Sequence, residues 1–516
     1  MLPTIRQWTV RTRTWSPQAW DVVLYGGSVL FALLTIHTSG VSLYRQWALI
    51  AIGPYAVAAA LSLGLCRRRR APAEPEHGED APARGGGRRW KARAAIFFLV
   101  LVGATLLPLS LEVAWRSDGI SGHVQPEVAV IEHAAHRLTE GQDPYRTVVR
   151  DHRVVLPVDG QPAYELFFPY LPLMTIFGLP SSTHEGLRLT DARIFLSLTT
   201  LVVVGVSLGL SRAPVERRFR TLQALTVLPI AALPLATGGD DMVIVGFLLL
   251  AMVLAQRRRP GWSGLVLGVV SAMKFTAWPL AALALFAARD REGRRAPVKM
   301  LLGMAVVIAP VVAPFLAQNA SAFVQNVVLF PLGLSGVSSP AASPLPGHLL
   351  VTAAPVLGRI VTSAVALVGA VVLVRRLVRR PPRTPAEVTM LAGWVMTVAI
   401  LIAPATRIGY LLYPINFFVW SWLLRGDEAV TEAVDEPSAA AELDQKSSET
   451  WISSSVNRVD SAPAPPEGNV VGAATMAASQ YQPSEPPFWA STCTPCPVDA
   501  GPVLSTFQPP PGSTER

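Results

Sequence analysis

Long apolar blocks recur along most of the chain, and short clusters of arginine and lysine separate them. The blocks are about 15 to 26 residues long, enough to cross a hydrocarbon core of about 30 Å, or most of it, as a helix. Lipid offers the backbone no hydrogen-bond partners, so such blocks must be helical. The pattern therefore predicts an all-α, polytopic membrane protein with roughly 10 to 13 transmembrane or re-entrant helices. The clearest predicted helices cover residues 22–36, 46–65, 94–114, 193–210, 221–236, 242–256, 298–316, 349–374, 386–404 and 409–424.

Changes in composition divide the chain into four parts. Residues 1–66 are a predicted transmembrane hairpin, and the Pro-, Gly- and charge-rich residues 67–93 are a predicted cytoplasmic linker. Residues 94–425 form the predicted membrane domain, in which the polar stretch 115–165 is a large first outer loop. Residues 426–516 lack periodicity and are rich in Ser, Pro, Ala and acidic residues, so we expect a disordered cytoplasmic tail.

Composition and charge agree with a membrane protein. Of the 516 residues 51% are hydrophobic and only 15% are charged, whereas about a quarter are charged in an average soluble domain. The net charge is +9, but the arginines lie between apolar blocks, where they are topology signals rather than a nucleic-acid-binding surface. Placing these clusters in the cytoplasm predicts a multi-pass plasma-membrane protein whose two termini are cytoplasmic and whose first loop is extracytoplasmic.

Two segments leave the topology open. The short apolar segment 166–180 is either re-entrant or a crossing. The run Gly261–Ala288 has basic residues on both flanks and should return to the side that it left. Two half-length helices that meet near Lys274 would satisfy this requirement, as would one tilted helix if one flank breaks the rule.

Lys274 is the only charged residue in that run. A lysine at mid-membrane costs about 2.5 to 3.5 kcal/mol unless a partner or a polar cavity offsets the cost. The side chain either extends to the interface or meets a phosphate or carboxylate inside the bundle.

The first outer loop carries a candidate base. Pro126 starts a predicted helix, and Glu127 in its first turn is kept ionised by the helix dipole. Glu127 is therefore a general base or only a helix cap. Three further candidates lie in the same loop: Asp118, His123 and Tyr145.

Two more polar groups lie on the predicted outer face. Asp240 and Asp241 follow a Gly-Gly pair and either cap a helix or bind a substrate hydroxyl or ammonium group. Arg407 precedes Tyr410 and Tyr413 in RIGYLLYP. An outer arginine breaks the positive-inside bias and so indicates an anionic partner, for which a phosphate is well suited.

Several stretches occur in an order that resembles a known family. They are AAHRLTEGQDPY, FFPYLPLMTIFGLP, TGGDDMVIVGFLLLAMVLAQRRRPGWSGLVLGVVSAMKFTAWPL and RIGYLLYP, preceded by an outer acidic residue after a spanning helix. Over about residues 94–424 the chain resembles the bacterial polyprenol-phosphate-dependent glycosyltransferases of the GT-C fold. The closest likeness is to family 87 (GT87, also DUF2029), which includes alpha-mannosyltransferases of envelope glycolipid synthesis.

The resemblance implies transfer of a mannose-like hexose or a pentose from a polyprenyl-phosphate donor to a glycolipid or polysaccharide acceptor at the outer face. It implies an inverting displacement without a cofactor or metal. Glu127 stands where the family more often has Asp, so the implied base is Glu127 or Asp118. The implied donor-phosphate contacts are Lys274, Arg407, Tyr410 and Tyr413. The implied acceptor or sugar contacts are Asp240, Asp241, Tyr145 and His123.

A carrier or flippase of lipid-linked sugars is the alternative. Transporters also bind substrates where a helix is broken. Against this alternative, the chain has no evident internal repeat, and its acidic residues gather in one outer loop.

Overall fold

The computed structural model describes seven stretches of the chain, and the predicted tail 426–516 lies outside them. They are residues 15–70, 81–150, 153–154, 162–183, 188–291, 295–337 and 341–425.

The described chain is almost entirely helical, which confirms the predicted fold class. Its α-helices are α1 (Pro17–Thr38), α2 (Ser42–Arg70), α3 (Ala81–Val100), α4 (Leu107–Ser117), α5 (Pro126–Thr139), α6 (Leu179–Thr183), α7 (Ala192–Leu210), α8 (Val215–Thr226), α9 (Pro229–Thr237), α10 (Asp241–Gln256), α11 (Pro260–Ser271), α12 (Trp278–Arg291), α13 (Arg295–Gln318), α14 (Ala320–Val324), α15 (Pro346–Ala353), α16 (Pro355–Arg379), α17 (Pro385–Ile402) and α18 (Leu412–Leu424). Tighter 3₁₀ turns occur at Ala163–Leu166, Pro172–Phe177, Arg188–Thr190, Phe275–Ala277 and Ile408–Leu411, and wider π-helical turns at Leu101–Leu106 and Gln325–Leu329. Two-residue strands β1 (Val149–Arg150) and β2 (Arg153–Val154) form the one sheet of the described residues.

Seven of the described helices are long and apolar enough to cross a membrane: α1, α2, α3 with α4, α7, α13, α16 and α17. Helices α8 and α9, bent by 46° at their junction, make an eighth if they count as one span. Five shorter apolar helices accompany them, among them α10, α11 and the stretch that contains α18. The two sets together agree with the predicted 10 to 13 transmembrane or re-entrant helices.

Three helices end together at one side of the bundle. Gln256, at the end of α10, donates to the carbonyl of Leu424 at 2.8 Å, and Arg257 donates to the carbonyl of Leu210 at 2.5 Å. We call this side the basic end. Helix α10 has 16 residues and is about 24 Å long, so its start at Asp241 lies at the opposite side, which we call the loop end.

The amino-terminal hairpin is tied to the membrane domain by buried charges. Arg93 of α3 lies 2.6 Å from Asp21 of α1 and 2.6 Å from Glu216 of α8. The Arg93 side chain is only 5% exposed, and a charge buried this deeply must be paired. The Trp90 ring packs edge-on against Phe219 of α8.

Helices extend into the predicted 67–93 linker from both sides. Helix α2 continues to Arg70 and α3 begins at Ala81, and residues 71–80 lie outside the described residues. The sequence ARGGGRRW has no apolar periodicity, and helix formation here accompanies contacts with α1 and α8 that a local pattern does not reveal.

Segment 166–180 does not form a crossing helix. It contains the 3₁₀ turn Pro172–Phe177 and enters α6, which has five residues, whereas a crossing needs about 20. Its backbone instead packs on the end of α11: the N–H groups of Leu171 and Leu173 donate to the carbonyls of Met273 and Ala272 at 2.9 and 3.1 Å.

The helix that contains Lys274 is broken at that residue. Helix α11 ends at Ser271, Lys274 is extended with φ −153° and ψ 140°, and α12 begins at Trp278. Pro260 and Ala288, near the two outer ends of α11 and α12, line one cavity together with Ala255 near the end of α10. The broken segment therefore returns to the basic end, which confirms the two-helix interpretation and excludes a single tilted helix.

Candidate functional site

Two glycines shape the turn that leads into the acidic pair. Gly238 ends α9 with φ 95°, a conformation that favours glycine. A Cβ atom at Gly238 would lie 2.3 Å from Cγ2 of Val128, and one at Gly239 would lie 2.4 Å from Cβ of Pro234. The Gly-Gly pair thus lets α5 and α9 approach closely and fixes where Asp240 begins the next turn.

The two carboxylates hold the lysine of the broken helix. Lys274 Nζ lies 2.7 Å from Asp240 Oδ2 and 2.6 Å from Asp241 Oδ1. Asp240 makes no side-chain cap to α10, so helix capping does not explain it. The Lys274 side chain is 12% exposed, and its partners are these carboxylates rather than the membrane interface.

Hydroxyl groups extend this cluster towards α18. Tyr413 donates its hydroxyl to Asp241 at 2.5 Å, and the hydroxyls of Thr276 and Tyr413 are 2.6 Å apart. Thr276 belongs to the 3₁₀ turn just after Lys274. The carboxylate of Asp241 therefore joins Lys274, at the break in the helix, to Tyr413 at the start of α18.

Aromatic rings cover the lysine. Lys274 Nζ lies 5.4 Å from the ring centre of Tyr170 and 5.9 Å from that of Tyr410, both within the range of a cation–π interaction. Tyr170 lies in the FFPYLPL stretch, whose backbone packs on the end of α11.

Glu127 and Arg407 form a second ion pair, made by Arg407 Nη1 and Glu127 Oε1. Glu127 stands in the first turn of α5, and its side chain is 14% exposed. The Arg407 turn is held by backbone bonds to a second loop, from Ser343 N to Thr406 O at 2.9 Å and from Thr406 N to Ala341 O at 3.0 Å. The carboxylate of Glu127 thus pairs with a residue 280 positions later in the sequence.

Tyr410 lies beside both ion pairs: its ring centre is 5.9 Å from Lys274 Nζ, and its N–H donates to the carbonyl of Arg407 at 3.0 Å. We call the whole group the paired-charge site; it comprises Glu127, Tyr170, Asp240, Asp241, Lys274, Thr276, Arg407, Tyr410 and Tyr413. Within the residues that the structure describes, no group of three or more His, Cys, Asp or Glu side chains is arranged to hold a metal ion.

Comparison with known proteins identifies the central part of the chain. Residues 168–404 match the sequence model of Glycosyltransferase family 87. Over this region the chain is similar to the glycosyltransferases of family 87. No curated protein and no solved structure matches the chain.

The family 87 match includes Tyr170, Asp240, Asp241 and Lys274. The residues of the other ion pair lie outside the match: Glu127 precedes the matched residues and Arg407 follows them. Folding thus brings flanking segments of the chain to its matched core.

Three of the sequence candidates lie apart from these ion pairs. Asp118 is half-exposed and pairs with Arg188 at 2.5 Å. His123 is buried, and its Nδ1 lies 2.7 Å from Glu112 Oε2. Tyr145 is 1% exposed and donates its hydroxyl to the backbone carbonyl of Tyr170 at 3.0 Å. Its hydroxyl therefore supports the backbone of a site residue.

The loop around Tyr145 is also held by a carboxylate. Asp143 accepts a hydrogen bond from the Tyr145 N–H at 2.9 Å. Burial nevertheless raises the pKa of the Asp143 carboxyl above its ordinary value, because desolvation disfavours the charged form.

Sequence reasoning missed Tyr170 and Thr276 as members of the site. Both lay inside motifs already quoted, FFPYLPL and MKFTAWPL. Thr276 could have been found because it follows Lys274 by two positions in the sequence. Tyr170 could not, because only the folding of the chain brings it to Lys274.

Proposed function

We propose that this protein is a glycosyltransferase that moves a hexose, mannose-like, or a pentose from a polyprenyl-phosphate donor to a hydroxyl of a glycolipid or polysaccharide acceptor. The observation that carries the proposal is the pairing of Glu127 with Arg407 beside the Lys274 cluster. It brings a carboxylate that can accept a proton next to cations that can hold a phosphate.

The reaction is an inverting displacement. The acceptor oxygen attacks the anomeric carbon, the bond from that carbon to the phosphate oxygen breaks, and the phosphate leaves with the electron pair. Glu127 takes the proton of the acceptor hydroxyl. Negative charge grows on the leaving phosphate, so fixed cations stabilise the transition state more than the ground state.

Arg407 has two tasks in this scheme. Its guanidinium fork suits a phosphate, and in the free protein it pairs with Glu127. A donor phosphate that draws Arg407 towards itself leaves Glu127 available as a base. The donor therefore binds before proton transfer becomes possible.

Lys274 supports the same phosphate from the other side. An ammonium group has three N–H donors, and Asp240 and Asp241 each accept one. The remaining donor is free for the leaving group, while the two carboxylates orient the ammonium and accept bonds from sugar or acceptor hydroxyls. Tyr410 and Tyr413 line the path of the phosphate.

Glu127 is the preferred base over Asp118. The Asp118 side chain is 49% exposed and pairs with Arg188, whereas Glu127 is largely buried beside Arg407. Tyr145 and His123 serve this scheme as supports of the loop, since the hydrogen bonds described for their side chains are to Tyr170 and Glu112.

The protein is in this proposal a multi-pass plasma-membrane enzyme. The paired-charge site is at the loop end of the bundle, opposite the arginines of the basic end. The positive-inside rule then puts the site on the extracytoplasmic face and both termini in the cytoplasm.

The test uses purified protein in lipid vesicles, radiolabelled polyprenyl-phosphate mannose or arabinose, and an extract of envelope glycolipids. Wild type and Asp118→Asn should label a glycolipid, and Glu127→Gln should not. Transfer that survives in Glu127→Gln and vanishes in Asp118→Asn would move the base to Asp118. Donor binding by wild type without any transfer would favour a carrier and contradict the proposed reaction.

A further inference from the structure

The amino-terminal hairpin, which lies outside the family 87 match, contacts the segment that leads into Glu127. Tyr44 stands in the first turn of α2, at the loop end of the hairpin. Its hydroxyl accepts a hydrogen bond from Gln125 Nε2 at 3.1 Å. The side chain is half-buried.

Gln125 joins two parts of the site. It is the residue just before α5, two positions ahead of Glu127. The same amide nitrogen that binds Tyr44 donates to Thr237 Oγ1 at 2.7 Å. Thr237 is the last residue of α9 and directly precedes the Gly-Gly turn to Asp240.

The hairpin itself is fixed against α9 and its neighbours. Tyr55 donates its hydroxyl to the carbonyl of Val227 at 2.7 Å, and the Trp47 indole donates to the carbonyl of Ala104 at 2.9 Å. Tyr55, Trp47 and Ala236 of α9 belong to one buried apolar cluster. The hairpin is thus a rigid support from which Tyr44 holds Gln125.

We propose that Tyr44 is a positioning residue: its phenol holds the Gln125 amide on Thr237 and so sets Glu127 and Asp240 at a fixed distance from each other. The inference rests on the proposed function, because it assumes that Glu127 and Asp240 act on one substrate. If Tyr44 has this role, the hairpin contributes to the activity of the enzyme through the geometry of the site.

The test compares four variants of the full-length protein in lipid vesicles with radiolabelled polyprenyl-phosphate mannose: Tyr44→Phe, Gln125→Ala, the double variant and Tyr55→Phe. Tyr44→Phe should lower kcat about tenfold and leave the donor KM within about twofold, since a displaced base slows the chemical step. The double variant should lose no more than Gln125→Ala alone, because both residues act through one contact.

Tyr55→Phe is the matched control. It also removes a hydroxyl of the hairpin, but from a bond to the carbonyl of Val227 at the end of α8. It should lower the melting temperature and leave kcat within about twofold, because the apolar cluster around Trp47 and Ala236 still holds the hairpin in place. Equal losses of kcat in Tyr44→Phe and Tyr55→Phe would overturn the inference, as would an unchanged kcat in Tyr44→Phe.

Hydrogen exchange separates this inference from the proposed function. In Tyr44→Phe the amide protons at the start of α5 should exchange faster, whereas those of α1 and α2 should not change. Absence of transfer in wild type would reject the proposed function alone. Unchanged exchange at α5 would reject the role of Tyr44, whatever the protein transfers.

Discussion

At the scale of single residues, the charges of the site are paired with one another. Lys274 meets Asp240 and Asp241, and Glu127 meets Arg407. The sequence indicated that Lys274 needed a partner, because a lone charge in an apolar run does, and that Arg407 had an anionic partner. It did not indicate which charge would meet which, because pairing depends on how the helices pack.

Replacing Lys274 should destabilise the protein as well as inactivate it. Lys274→Met leaves two largely buried carboxylates without their cation, and breaking such a pair costs about 3 to 5 kcal/mol. Thermal unfolding in detergent measures this loss. The triple variant Lys274→Met, Asp240→Asn, Asp241→Asn should recover most of the stability and none of the transfer. Recovery of transfer in the triple variant would contradict a role for Lys274 in the reaction.

Replacing Arg407 should lower kcat more than it changes the donor KM. In the proposed reaction Arg407→Gln removes the fork that stabilises charge on the leaving phosphate, and loss of one such group costs roughly 10² to 10³ in kcat. Steady-state kinetics with varied donor should show a smaller change in KM than in kcat. Arg188→Gln, which removes only the exposed partner of Asp118, is the control and should behave as wild type.

At the scale of helices, close contact between α11 and α13 holds the broken helix in place. A Cβ atom at Gly264 would lie 2.1 Å from the carbonyl oxygen of Met300, so the two backbones touch. Small residues allow such contact between membrane helices. The boundaries of α7, α10 and α17 were predicted within a few residues from periodicity, whereas the predicted helices 221–236 and 349–374 are each two helices, α8 with α9 and α15 with α16. The contact of α11 with α13 and the packing of 171–173 on α11 were not predicted, since both join distant segments.

A larger residue at Gly264 should therefore displace α11 from α13. Gly264→Leu should lower stability by about 1 to 3 kcal/mol and reduce transfer, because Lys274 follows at the end of α11. Gly205→Leu in α7 is the matched control, since no atom lies within 4 Å of its Cβ position. Melting temperature and transfer rate would be measured for both, and equal behaviour of the two variants would refute the proposed contact.

At the scale of the whole molecule, the basic end and the paired-charge site lie at opposite ends of the bundle. The membrane fold could be predicted from apolar blocks and flanking charges, which left the broken helix as one of two alternatives. The hairpin contact with the site could not, because Tyr44 and Gln125 are 81 positions apart and neither stands in a distinctive motif.

The orientation gives a test in whole cells. In a background without native cysteines, Gln142→Cys should react with a membrane-impermeant thiol reagent, since it lies in the first loop. Arg380→Cys, at the end of α16, should react only after permeabilisation. Both positions are exposed. The reverse labelling pattern would put the site on the cytoplasmic face.

The pair between Glu127 and Arg407 also bears on how the enzyme is made. Its two residues are 280 positions apart, and ribosomes add about 5 to 20 residues per second. Glu127 is therefore synthesised roughly 14 to 56 s before its partner exists. During that interval the nascent chain carries a carboxylate without its partner, and the ion pair forms only after the segment that precedes the last described helix has been made.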